Sequence, residues 1–343
     1  MQESIRFAIV GAGVISDFHA KAITQHPQAE LVAISDIVLE KANKLADAYN
    51  AASVYSDYEQ MLKREDIDVV CVCTPSGLHG EVVIAAAQAG KHILCEKPLE
   101  IKAGAMTEML AAVNKHGVKM GCVFQRRIME ASLVARRAVQ EGKLGKLVLG
   151  DAYLKYYRSP EYYRSAGWRG TWQFDGGGAL MNQGVHGIDL IQWLMGDVQS
   201  VFAYSAPLLR DIEVEDTAVA VLKYKNGAFG VIQGTTSVYP AQETRFELHG
   251  EKGTIIFADS GIKKWSFLDS DEEIPIVQPR MDSSSNPTDI SSDGHYILVD
   301  DLIEAIRNDR QPLISGEEAR KSVDLILAIY ESAQTGKEVI LPY

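Results

Sequence analysis

The chain lacks any cationic excess: 46 acidic residues outnumber 34 basic ones, a net charge of -12 over 343 residues. An acidic surface repels polyanions, which argues against nucleic acid as a main partner, while a locally basic pocket can still take an anionic small molecule. Long apolar runs are also missing, and none reaches the length of a membrane span. Met1-Gln2-Glu3-Ser4 leads straight into a strand-like run and leaves no room for a signal peptide, so a cytoplasmic protein without membrane association is expected. Cysteine is scarce, at four. No His or Cys cluster completes a four-ligand set around Cys71 and Cys73, so no metal site is expected. Cys71, Cys73, Cys95 and Cys122 lie in or beside apolar runs, as small buried hydrophobes do in a reducing compartment. The chain has no internal repeat and no low-complexity tract.

What is present is an ordinary globular composition, 46% hydrophobic and 23% charged, in a chain too long for one core. Residues 5–123 alternate strand and helix signals. Strands are expected at 5–10, 31–35, 53–55, 69–73, 92–95 and 118–123, and helices near 15–25, 38–49, 57–63, 80–90 and 103–116. The strand runs are almost continuously apolar, as in parallel strands buried on both faces. Beyond 123 the pattern changes. A helix near 129–141 and a strand near 147–157 precede an aromatic, basic and glycine-rich segment, 156–178, and an amphipathic helix, 178–195. Strands at 199–205, 217–225, 228–237, 243–249 and 253–258 then follow without helices, with Asn226-Gly227 as a hairpin turn. Residues 282–294, rich in Ser and Asp, read as a loop or lid, and helices near 295–308 and 316–334 close the chain. The expected fold is α/β over 1–123, a doubly wound parallel sheet, followed by an α+β domain over 124–343 with a mostly antiparallel open sheet.

The first chemical signal is Gly11-Ala12-Gly13-Val14-Ile15-Ser16, between a strand and a helix. Gly11 permits a tight turn, Gly13 lets a pyrophosphate approach the backbone, and Val14 with the helix starting near Ile15 offers free N–H groups to it. Asp36 ends the second strand, twenty residues after Ser16. A carboxylate there accepts from both ribose hydroxyls of NAD and repels the 2′-phosphate of NADP, although it can also serve to cap the next helix. No arginine follows it, so NAD is expected over NADP. Thr74 and Pro75 follow the fourth strand and would line the crevice beside the nicotinamide ribose. His79 starts the next helix, where capping or packing explains it as well as a cofactor contact.

The second signal is Cys95-Glu96-Lys97-Pro98, at the carboxyl end of the fifth strand, on the edge where such sheets bind ligands, so Glu96 and Lys97 are expected among the cofactor contacts. A lysine beside a nicotinamide can stabilise an alkoxide or relay a proton, although a lone loop lysine is by default merely solvated. The third is Asp175-Gly176-Gly177-Gly178-Ala179-Leu180-Met181-Asn182-Gln183-Gly184-Val185-His186. Asn182 and His186, four apart, share one helix face, and His186 has the pKa range of a general base. Arg158, Tyr163, Trp168, Arg169 and Trp172 crowd the segment before it. Aromatic faces stack on sugar rings and arginines pair with anions, or the same residues pack an oligomer contact. Gln125 and Arg126, after the sixth strand, are also placed within reach of substrate.

The Gly11 loop, Glu96-Lys97-Pro98, the helix from Gly178 to Asp189 and the ending Ser315-Gly316-Glu317-Glu318-Ala319-Arg320-Lys321-Ser322 through Gly336-Lys337 resemble the Gfo/Idh/MocA oxidoreductase family over essentially the whole chain. The resemblance implies a Rossmann domain, a second α+β domain and NAD(P)-dependent oxidation or reduction of sugars, sugar derivatives or cyclitols. It implies catalytic roles for Lys97 and His186, and a homodimer or homotetramer joined through the open sheet. Where inositol dehydrogenases of the family carry Asp-x-x-x-His, this chain has Asn182 before His186. Asn182 cannot ionise and can only orient substrate. An Asn-Gln pair before the His is similar to the subgroup that oxidises the 3-hydroxyl of UDP-linked N-acetylated hexuronates, and to related pyranoside 3-dehydrogenases. The expected activity is hydride transfer between NAD and a secondary hydroxyl or ketone of a sugar, sugar derivative or cyclitol. A non-catalytic sugar-responsive regulator and a glycoside-cleaving enzyme with retained NAD are the alternatives.

Overall fold

In the computed structural model, residues 3–278 and 293–342 are described. Short apolar runs alternate with amphipathic helices from the start: β1 (Ile5–Val10), α1 (Val14–Gln25), β2 (Ala29–Ser35), α2 (Leu39–Tyr49), β3 (Ser53–Tyr55) and α3 (Tyr58–Leu62). They continue as β4 (Val69–Val72), α4 (His79–Gln88), β5 (His92–Cys95), α5 (Ala103–His116) and β6 (Met120–Cys122). The strands pair in parallel in the order β3-β2-β1-β4-β5-β6. Helices cover both faces of such a sheet, and every side chain from Val69 to Val72 is fully buried. Each valine buried this way contributes roughly 1.5–3 kcal/mol of transfer free energy. The strand order reverses between β1 and β4, so the carboxyl ends of these strands open a crevice. The loops at Gly11, Thr74 and Lys97 all leave that edge.

Most of the remaining chain builds a second unit, which begins with α6 (Glu130–Gln140), β7 (Leu147–Lys155), α7 (Pro160–Arg164), a π-helical turn (Ala179–Gly184) and α8 (Val185–Met195). Then come β8 (Val198–Ala206), β9 (Thr217–Tyr224), β10 (Phe229–Thr235), β11 (Arg245–Gly250), β12 (Gly253–Ala258) and β13 (Gly261–Phe267). After the segment outside the described residues come α9 (Asp293–Arg307), α10 (Gly316–Thr335) and β14 (Val339–Ile340). The sheet order is β13-β12-β11-β7-β10-β9-β8-β14, antiparallel except for the β7–β10 pair. β9 alternates buried and exposed positions along its length, so one face meets the core, where α8 lies, and the other faces outward.

Four features depart from the sequence expectation. First, the helix expected over 178–195 is not one α-helix but a π turn leading into α8. A Cβ on Gly178 would stand 2.0 Å from the Glu215 carbonyl oxygen, so the backbone enters pressed against a neighbouring strand connection. The Gly178 carbonyl accepts from both Asn182 and Gln183 backbone N–H groups, at 3.2 and 3.4 Å, and the turn widens. Second, β13 carries Lys263 and Lys264 in mid-strand, charges that suit a sheet edge but hide the strand's period. Third, α7 and β14 are too short to announce themselves. Fourth, the boundary at 123/124 treats each domain as contiguous, whereas α9 and the chain through Arg320 belong with the first unit, the remainder of α10 and β14 with the second. The reason is the apolar face of α9: Leu298, Val299, Leu302 and Ile303 are buried, and the helix packs on α1. The loop expected over 282–294 lies outside the described residues up to 292.

Candidate active site

In the first unit, Gly11 has φ +97°, and a Cβ there would lie 2.6 Å from the Cys73 carbonyl oxygen, so the turn accepts only glycine. Gly13 is exposed, with nothing within 4 Å of where its Cβ would be. No side chain caps α1, whose first residue Val14 is 64% exposed, with Ile15 half-buried behind it. Open space over Gly13 and an uncapped helix start form a cradle for an anion. Asp36 stands beside it: one carboxylate oxygen accepts the Ala12 N–H at 2.7 Å and the other the Val38 N–H at 2.8 Å. These bonds fix its direction and leave lone pairs on both oxygens. Capping and ribose contact are thus compatible. Ile37, next in sequence, is 91% exposed and apolar.

At the end of β4, the Thr74 hydroxyl oxygen is buried and has no hydrogen-bond partner, next to a half-buried Pro75. An orphaned hydroxyl there fits a ligand hydroxyl, as the nicotinamide ribose would supply. The Gln125 side chain is buried with its Oε1 also unpartnered. His79 is different. Its Nδ1 lies 2.8 Å from the Pro98 carbonyl oxygen and its Nε2 2.9 Å from that of Thr74, so the ring ties two loops together rather than facing a cofactor. Glu96, a second cofactor-contact candidate, also turns inward. Its Oε1 sits 2.8 Å from His19 Nε2 and 3.2 Å from His295 Nε2, with all three side chains buried. Burial alone would raise its pKa, but the two imidazoles outweigh it and hold the carboxyl well below the ordinary range; burial in turn lowers His19. Lys97 follows, half-buried, in a cis peptide to Pro98.

In the second unit, His186 is buried on the first turn of α8. A Cβ on Gly187 would come 2.4 Å from Leu154, so α8 sits directly on β7. Asp189 is clamped by Arg127 through two bonds of 2.7 Å, a buried bidentate pair that fixes the helix. Glu215 holds the π turn: its oxygens accept the Gly178 N–H at 3.0 Å, the Leu180 N–H at 2.8 Å and the Tyr330 hydroxyl at 2.8 Å. Burial raises its pKa to about 7 against the pull of those donors.

Asn182 donates to Asp175, and its amide oxygen accepts from Gln183 at 2.7 Å. Gln183 also donates to the Tyr162 hydroxyl at 2.8 Å and accepts from Arg158 at 2.7 Å. Tyr163 reaches Thr236 at 2.7 Å, and burial raises its hydroxyl pKa to about 12. Arg169 stacks over the rings of Tyr162 and Trp168, at 4.1 and 4.9 Å, with its Nε buried and unpartnered. Trp172 is 47% exposed and meets Tyr330 edge-on. Arg126 is braced by a different set of residues. Its guanidinium pairs with Asp259 at 2.7 Å and reaches Thr244 at 3.0 Å, so the residue expected near substrate serves as an internal strut.

The sequence reading missed the parts that hold these groups. His19, Glu96 and His295 form a cluster of metal-ligand type, their ligating atoms within 4.8 Å of one another. Separations of 77 and 199 residues gave no local signal for it. Glu215 was missed for the same reason. Asp175 and Gln183 lie within the 175–186 motif, but only the fold shows that they share one network with Arg158 and Asn182.

Comparison with known proteins agrees with this geometry. Residues 5–124 match the oxidoreductase family with an NAD-binding Rossmann fold, and residues 133–256 match the GFO/IDH/MocA C-terminal domain. The chain is similar to the oxidoreductase YrbE of Bacillus subtilis, 32% identical over 261 residues and 74% of each chain. It is similar to the myo-inositol 2-dehydrogenase of Thermotoga maritima, 27% identical over 98% of both. The crystal structure of the WlbA dehydrogenase from Bordetella pertussis, in complex with NADH and UDP-GlcNAcA, superposes with a TM-score of 0.89 at 37% identity, covering 99% of this chain and all of that one. The chain belongs to the Gfo/Idh/MocA oxidoreductase family. Its cofactor is NAD, held by a Rossmann domain, and it is an oxidoreductase. Among the described residues, no helix is long and apolar enough to cross a membrane.

Proposed function

We propose that this chain is an NAD-dependent dehydrogenase acting on a secondary hydroxyl of an anionic pyranose, best matched by a UDP-linked N-acetylated hexuronate. The observation that carries the substrate class is Arg169, a cation stacked on Tyr162 and Trp168 with one buried donor lacking an acceptor. A buried unsatisfied donor is costly, and a sugar carboxylate or phosphate would satisfy it while the flanking rings stack on the pyranose. The WlbA structure, with UDP-GlcNAcA bound, supports that choice over a neutral cyclitol.

The Gly11–Gly13 turn and the start of α1 take the pyrophosphate, Asp36 takes the adenosine ribose, and Thr74 takes the nicotinamide ribose. Bound NAD supplies the hydride acceptor. His186 takes the hydroxyl proton, in a position set by the Arg127–Asp189 clamp. The Lys97 ammonium stabilises the developing alkoxide and relays the proton. Asn182 and Gln183, fixed by Asp175 and Tyr162, orient the ring hydroxyls. Asp36, followed by exposed Ile37, disfavours the extra phosphate of NADP.

We place the enzyme in the cytoplasm as a homodimer or homotetramer. The four buried cysteines suit a reducing compartment. Phe229, Val221, Val219 and Tyr204, between 43% and 72% exposed, form a contiguous outer patch on β8–β10 that a second copy would cover.

The substrate reading is tested by Arg169→Leu. We expect the KM for a UDP-hexuronate to rise by about tenfold or more, as when a charge-assisted hydrogen bond is lost, with NAD binding retained. An unchanged KM would remove the anion from the proposal.

A further inference from the structure

The His19–Glu96–His295 cluster lies outside every role assigned above. Three distant parts of the first unit meet in it: His19 on α1, Glu96 beside Lys97, and His295 on the first turn of α9. Both imidazoles address the same oxygen of Glu96. The other oxygen accepts the Lys97 backbone N–H at 3.2 Å. The rings also pack on each other, His19 edge-on to His295 with centroids 4.9 Å apart and Phe18 stacked at 5.7 Å. Both imidazoles are fully buried and the Glu96 side chain is nearly so.

A cluster of two histidines and a carboxylate invites a metal, but the outer nitrogens argue against one. In both rings Nδ1 is buried without a partner. A histidine that binds metal through Nε2 carries its proton on Nδ1 and donates it to a carboxylate, a carbonyl or water. Here such a proton would have no acceptor. With the proton on Nε2 instead, each ring donates to Glu96, and Nδ1 is a bare acceptor needing no donor of its own. The buried carboxylate then has three donors, which is the arrangement an ionised buried group requires.

We propose that His19 and His295 are positioning residues for the dehydrogenase reaction: their Nε2–H groups lock the Glu96 carboxylate, which in turn holds the Lys97 backbone and so aims the lysine. The proposal rests on the reading that Lys97 acts in the chemistry. It also gives α9 a purpose beyond packing, since the segment that rejoins the first unit brings one of the two donors. NAD affinity is not part of it, because Gly11–Gly13 and Asp36 hold the cofactor through separate contacts.

The test compares His295→Leu, which keeps bulk and removes the donor, with His295→Gln, which keeps an N–H donor. Three quantities are read on the full chain: amide hydrogen exchange of the peptide spanning Lys97, NADH binding by fluorescence, and kcat against KM. In the leucine variant we expect faster exchange at Lys97, NADH affinity nearly unchanged, and kcat lowered by about tenfold to a hundredfold, as for a catalytic group displaced by a fraction of its productive geometry. The glutamine variant should restore most of both. Glu96→Gln, which preserves size but turns an amide toward the Lys97 N–H or toward an imidazole, should resemble the leucine variant and decides the matter if His295→Leu does not fold. Unchanged Lys97 exchange, or equal losses in the leucine and glutamine variants, would overturn the proposal. If the wild-type protein turns over no sugar, the dehydrogenase reading fails, while the exchange comparison still reports on the positioning network.

Discussion

At the scale of single residues, Lys97 and His186 carry the chemistry in this account, and the glycine turn and Asp36 carry the cofactor. Replacing either Lys97 or His186 by alanine should lower kcat by about a hundredfold or more, the usual weight of a general acid–base group, with NADH binding close to wild type. Initial rates and fluorescence titration check both halves; full activity in both variants would remove the mechanism. The residues legible in the sequence were those whose chemistry depends on neighbours a few positions away. Gly11, Gly13 and Asp36 fall in this class, because strand–turn–helix context and a twenty-residue offset are local facts. The Arg126–Asp259 pair was not legible because its partners are 133 positions apart, and nothing near Arg126 shows that its charge has a buried counterpart. For His79 the sequence left packing and a cofactor contact both open, because the ring's partners are backbone carbonyls, which every sequence has and no sequence displays.

At the scale of elements, the π turn that precedes α8 depends on Glu215. The carboxylate holds two backbone N–H groups of the turn from a neighbouring strand connection. Its pKa in the folded protein is raised to about 7 from an ordinary 4.5, so between those values the folded state binds more proton than the unfolded one. This group's contribution is therefore fully present below about pH 4.5, declines as pH rises to about 7, and is constant above it. The difference corresponds to roughly 3 kcal/mol. Melting temperatures measured across that range should show Glu215→Gln with a flatter pH dependence than wild type, since the amide does not titrate. An identical slope in the two proteins would show that Glu215 does not titrate there. The sequence indicated a helix in this place, and hydrophobic period does distinguish helix from strand. The period cannot reveal that a glycine pressed against the Glu215 carbonyl widens the first turn. The charged edge strand β13 escaped for the complementary reason, because its solvent-side lysines erase the alternation by which strands are recognised.

At the scale of the whole molecule, the parallel and antiparallel sheets follow from the two kinds of apolar run, continuous before residue 123 and alternating after it. The return of α9 to the first unit does not, since its amphipathic face is equally suited to any apolar surface. The outward face of the second sheet gives a prediction of its own. A charge at Phe229, as in Phe229→Asp, should dissociate the proposed oligomer, because a carboxylate buried at a copy-to-copy contact is costly without a partner. Sedimentation velocity would show a smaller species than wild type; an unchanged coefficient would place the contact elsewhere.

The proposed function is that of an NAD-dependent dehydrogenase for an anionic sugar. The most direct measurement is nicotinamide absorbance on mixing the purified protein with NAD and a UDP-linked N-acetylated hexuronate, with the neutral UDP-sugar and an inositol in parallel. The account predicts NADH formation with the uronate and little with the neutral compounds. Silence with the uronate while NADH binding is intact, or equal rates with the neutral sugar, would contradict it.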